Sequence, residues 1–170
     1  MNEDVLFTIF LHCHLKSLLC LRLTNHQFYH IINNHFWQSK FTFDNLPIIS
    51  KEKVNNWMRE YCKVTKVVNL STQTLLSCPH SYYDEVLICN IKNSNHLPLR
   101  FQKFITKYTV NFHITNIKIS WYYHHPFYNI FCSIYNRDRF YKVLRLKENQ
   151  IVDFLHHLFY YNQERLDVLM

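Results

Sequence analysis

The stretch that decides the fold runs Asp4-Val5-Leu6-Phe7-Thr8-Ile9-Phe10, then Leu15-Lys16-Ser17-Leu18-Leu19-Cys20-Leu21-Arg22-Leu23, then Phe28-Tyr29-His30-Ile31-Ile32, and closes on Phe36-Trp37. Its apolar residues recur three and four apart, the period at which side chains stack on one face of a helix. Three short helices between Glu3 and about Phe41 follow. Asp4 places a negative charge at the first helix start, Ser17 is a candidate cap for the second, and Asn25 for the third, because short polar side chains accept from the orphan amides there.

Outward from this stretch the character changes. Asp44-Asn45-Leu46-Pro47 reads as a break, and Lys51 to Tyr61 as a further helix. Beyond it, runs rich in Val, Ile, Phe and Tyr predict strands at Val67 to Leu70, Val86 to Ile91, Tyr108 to Ile119 (interrupted), Tyr128 to Ile134 and Val143 to Leu146. Ile151 to Asn162 returns to helical spacing, with Ile151, Phe154, Leu155, Leu158 and Phe159 on one face. The fold class expected is α+β: an N-terminal three-helix module over 3–41, a helical connector over 42–62, and a small α/β or repeat-like region over 63–170. An irregular leucine-rich repeat is the alternative for that last region, since Tyr141, Leu144, Leu146, Asn149 and Ile151 fit one repeat in register.

The chain has 170 residues, 48% of them hydrophobic, enough for a real core. It contains no glycine, which removes the glycine-rich phosphate cradles of P-loop, dinucleotide-binding and kinase chemistry. The abundance of Asn, Lys, Ile, Phe and Tyr suits A/T-rich codons, as in a large DNA virus or an intracellular parasite. The six cysteines are scattered, and reduced thiols are expected. No secretory signal or membrane span is read at the N-terminus, so an intracellular protein, cytoplasmic or nuclear, is the expectation.

The N-terminal stretch resembles the F-box. The LL-x-LR core Leu18-Leu19-Cys20-Leu21-Arg22, the later Phe28 and the closing Phe36-Trp37 stand in that family's register. Departures are Met1-Asn2 and Cys13-His14 where the family carries Leu-Pro, Thr24 for the usual Val, and His26-Gln27 before the aromatic. The resemblance implies a module without chemistry of its own that binds Skp1, bringing a bound target protein to a cullin-based ubiquitin ligase. It assigns Val5, Leu6, Ile9, Leu15, Leu18, Leu19, Leu21 and Phe28 to the Skp1-binding and core surface, with Phe36 and Trp37 closing the module. Such an adaptor is not an enzyme and needs no cofactor; of a viral source, its target would be a host protein.

Other clusters fall short of a site. His12-Cys13-His14 with Cys20 supplies zinc-type ligands without the spacing of a tetrahedral set, so no metal site is expected. His124-His125 and His156-His157 are adjacent pairs whose side chains face apart, and Cys78-Pro79-His80 lacks a nucleophile's context. The formal charge is +7. Lys103, Lys107 and Lys118 interleave with Phe101, Phe104, Tyr108, Phe112, Trp121, Tyr122 and Tyr123, so the alternative function is a basic, aromatic nucleic-acid-binding protein with an F-box-like cap.

Overall fold

The computed structural model describes residues 2–76, 86–91, 93–109, 116–134, 139–162 and 166–168. Among them are seven helices and five strands: α1 Glu3–Leu11, α2 Leu15–Thr24, α3 His26–Ile31, α4 Asn34–Phe43, α5 Trp57–Leu76, β1 Val86–Asn90, α6 Leu99–Thr109, β2 Asn116–His124, β3 Phe127–Ile134, β4 Tyr141–Lys147, α7 Glu148–Tyr161 and β5 Leu166–Val168. The chain is α+β. It divides into two compact units, Met1–Lys66 and Val67–Met170, with the division falling inside α5.

Asparagine punctuates the first unit. The Asn2 side chain accepts from the Asp4 amide, Asn25 from Gln27 and Asn33 from Phe36, each satisfying a donor that its helix leaves orphaned. Asn25 therefore caps α3 as expected. Ser17 does not cap α2: His14 holds that position, without a side-chain bond. A fourth helix, α4, was not foreseen, and it carries Phe36 and Trp37 at the centre of the core.

The end of α4 shows how a chain without glycine stops a helix. Asn45 sits at φ 52°, in the left-handed region, where its amide donates to Thr42 O and the next amide, Leu46, reaches back to Phe41 O. This is a Schellman motif with asparagine in the place glycine usually takes. Replacing Asn45 by Ala should lower unfolding stability by about 1 kcal/mol, while Gly should be near neutral, because only the Cβ-bearing residue without a polar tip resists that conformation. Thermal melts of the two variants check it.

The second unit holds an antiparallel sheet in the order β4-β3-β2-β1-β5. Register runs Tyr122↔Asn129 and His124↔Phe127 across the β2–β3 hairpin, and Ile130↔Leu144 then Phe131↔Lys142 across β3–β4, a bulge that leaves Val143 unmatched. One face presents Ile117, Ile119, Trp121, Ile130, Cys132, Leu144 and Leu146, all buried. Helices α6 and α7 pack against β4, and Phe101 of α6 meets Phe154 of α7 edge-on at 5.3 Å.

The structure corrects four expectations. The leucine-rich-repeat alternative fails, since a solenoid stacks parallel strands whereas these neighbours are antiparallel, and Asn149 and Ile151 lie inside α7 rather than in a turn. Val67 to Leu70 is helix, not strand, and the helix expected over Lys51 to Tyr61 begins only at Trp57 and runs to Leu76. Tyr108 belongs to the unforeseen helix α6, so the strand expected from Tyr108 starts at Asn116.

On α7, burial pushes the His156 imidazole below its ordinary value of 6.5; Asp153 pulls it back up and His157 pushes it further down. The unfolded chain then binds the proton more readily than the folded one, so stability falls as pH drops below about 6.5 and levels off only once the folded group also charges. His156→Gln should flatten this part of the profile, as read from denaturant midpoints between neutral and mildly acidic pH.

Candidate functional site

The first unit is built on a ring-rich core. Leu6 and Phe10, one turn apart on α1, are buried, and Phe10 meets Phe28 of α3 edge-on at 5.2 Å. Phe7 packs on Phe36 at 5.2 Å, Phe36 on Trp37 at 5.6 Å, Trp37 on Tyr61 at 5.2 Å, and Phe41 on Trp57 at 5.4 Å. All but the tilted Trp37–Tyr61 pair meet edge to face, and ring pairs of this kind add to the burial itself. Phe36 and Trp37 are thus both enclosed in the core of this unit.

A polar network fastens the end of α1. The Lys40 ammonium, in a side chain that is almost wholly buried, donates to Leu11 O at 2.6 Å and to Asp44 Oδ1 at 2.9 Å. The Tyr61 hydroxyl donates to Asp44 Oδ2 at 2.5 Å. Burial, then the adjacent Asp44 carboxylate, holds the Tyr61 phenol well above its usual range. Lys40, Asp44 and Tyr61 are thus all engaged with one another or with the α1 backbone.

The core leaves several large apolar side chains outside. Val5 and Ile9, one turn apart on α1, are each 49% exposed, and Leu23 on α2 is 87% exposed. Leu15, Leu19, Leu21 and Phe28 are half-buried, whereas Leu6 and Leu18 are enclosed, Leu18 completely. The residues assigned to the binding surface therefore separate: Leu6 and Leu18 hold the module together, and Val5 and Ile9 face outward. Leu23 and Tyr29 were overlooked. Leu23 stands one turn after Leu19, a spacing legible in the sequence, and Tyr29 is half exposed with the Arg22 guanidinium 4.6 Å above its ring.

The chemical clusters of the sequence do not assemble. The Cys13 thiol bonds to Ile9 O and the His12 ring rests on Phe43, so neighbours in sequence are engaged in different places. Cys13, Cys20 and Cys62 are free thiols, and burial pushes the Cys62 thiol up, away from nucleophilic thiolate. Cys78-Pro79-His80 and Phe112 lie outside the described residues. A cleft of about 420 Å³ at the start of α1 is lined by Glu3, Asp4, Phe7, His30, Ile31, Asn33 and His35, a set that includes acids and bases but no Ser or Cys nucleophile. Of the basic aromatic interleave, Phe101, Phe104 and Trp121 are core residues, so that alternative loses much of its stacking surface.

Residues 1–38 match the family model of the F-box domain. No curated protein and no solved structure matches the chain. No helix among the described residues is long and apolar enough to cross a membrane.

Proposed function

We propose that the chain is a substrate adaptor: its N-terminal helices bind Skp1, and the region beyond them presents a target protein to a cullin-based ubiquitin ligase. The observation that carries this reading is the coincidence of the matched residues 1–38 with a unit that encloses Leu6, Leu18, Phe36 and Trp37 yet leaves Val5 and Ile9 on the outside of α1. A module of this size buries little by itself, and an exposed apolar row one turn apart is the feature a partner's groove takes up. Adaptors of this kind bring proteins together and catalyse nothing themselves.

Such work belongs in the cytoplasm or nucleus, of the host cell if the chain is viral, where a host protein would be the target. Co-purification of the full chain with Skp1 at low and high salt tests the reading. A complex that persists in salt is expected of an apolar interface, since screening weakens charge contacts and not burial. Absence of a complex at both salt concentrations would overturn it.

A further inference from the structure

The sheet of the second unit has a second face, and its ladder register sets two rows of side chains side by side. Pairings Phe131↔Lys142, Asn129↔Arg145 and Phe127↔Lys147 put a cation of β4 opposite each of three alternate residues of β3. The next strand continues two of these rows as Tyr122 and His124. Alternate residues on a strand stand about 6.6 Å apart on the same face, so Arg145 and Lys147 are spaced like the phosphates of an extended single strand.

Burial falls off along this face. Ser120 and Ser133 are enclosed, Tyr122 and Phe127 are half-buried, and His124, Lys142, Arg145 and Lys147 are exposed. The Arg145 guanidinium lies 4.0 Å over the Phe127 ring, which places cation and aromatic on one surface. The strands β2, β3 and β4 contain no acidic residue, the nearest in sequence being Glu148, the first residue of α7. Asn129 is 9% exposed, and its Oδ1 is buried without a hydrogen-bond donor.

Cations on an edge strand also guard against pairing with other chains. That duty explains the lysines of β4 but not the aromatic residues in the adjoining rows. We propose that this end of the sheet binds single-stranded nucleic acid. Phosphates lie along Lys142, Arg145 and Lys147, and bases stack against Tyr122 and Phe127. An acidic peptide would satisfy the cations and leave the rings unused. The proposal is independent of Skp1 binding.

The test is fluorescence anisotropy of the full chain with labelled oligodeoxycytidylate and oligodeoxythymidylate of about 12 nucleotides, within the site sizes such surfaces cover. The two should bind with similar affinity, because stacking and phosphate contacts are tolerant of base identity. With three phosphates engaged, the slope of log affinity against log salt should be about −2. Lys142→Glu with Lys147→Glu, both exposed positions, should weaken binding at least about tenfold and reduce that slope by about 1.4. Phe127→Leu should weaken binding about tenfold with the slope unchanged, the mark of lost stacking. Val5→Asp with Ile9→Asp should leave oligonucleotide binding as it was, which separates this surface from the adaptor reading. No binding up to about 100 µM protein at low salt, where even non-specific association is seen, would overturn the proposal. So would undiminished binding by the charge-reversed variant, or competition by polyglutamate as effective as that by oligodeoxycytidylate.

Discussion

A chain carrying Val5→Asp and Ile9→Asp should fail to co-purify with Skp1 while melting at the wild-type temperature. Both side chains are half exposed on one face of α1, so the free protein keeps its core and solvates the new carboxylates. Burial in an apolar interface would strip them of water at several kcal/mol in total, more than a hundredfold in affinity. The contrast is Leu18→Asp, whose site has 0% exposure: there the charge has no water in the folded state, and the module should unfold whether or not a partner is present. Calorimetric titration with Skp1, alongside circular-dichroism melts, distinguishes the two. Wild-type affinity in the Val5/Ile9 variant would place the interface on another face of the module.

The second large effect is expected at Lys40. Truncation to Ala withdraws the donor from Leu11 O and the counter-charge from Asp44, and Asp44 still accepts from Tyr61. A buried pair broken on one side costs more than the pair was worth, because the remaining charge stays behind. About 3 kcal/mol of stability should be lost. Lys40→Met with Asp44→Asn should recover part of it, since neither partner is then left charged. Denaturant midpoints for the single and double variants give the coupling; a loss within about 0.5 kcal/mol for Lys40→Ala, ordinary for a surface site, would show that the network is solvated rather than structural.

The helices α1 to α3 were legible because their apolar spacing and the Asn25 cap agree. What spacing alone does not resolve is which leucine faces in. On α2, Leu15, Leu18, Leu19, Leu21 and Leu23 spread over more than half the helix circumference, and only packing selects Leu18 for the core. The latter half of α5 was misread for a related reason. Its buried stripe runs Val64, Val67, Ser71 and Thr74, so small polar residues stand where an apolar period would have announced a helix, and Val67-Val68 looked like strand. In α6 the signal was present but taken for something else. Phe101, Phe104, Ile105 and Tyr108 keep helical spacing behind Pro98, yet the lysines between them suggested a surface for stacking. The strands β1, β3 and β4 were placed close to where they lie. Their order was not, because pairing depends on contacts between distant segments that no local pattern encodes.

That order has a consequence for the sequence of events on the ribosome. Every helix of the first unit makes its contacts within a short span of chain and can form soon after it emerges. Strand β1 is different: it lies between β2 and β5, and its partner Val168 for Leu87 is synthesised about 80 residues later. Until then one edge of β1 waits without its neighbour, exposed to the off-pathway pairing that unfinished sheets invite. The nascent protein thus passes through an interval in which the N-terminal helices are already competent to meet a partner while the sheet is incomplete.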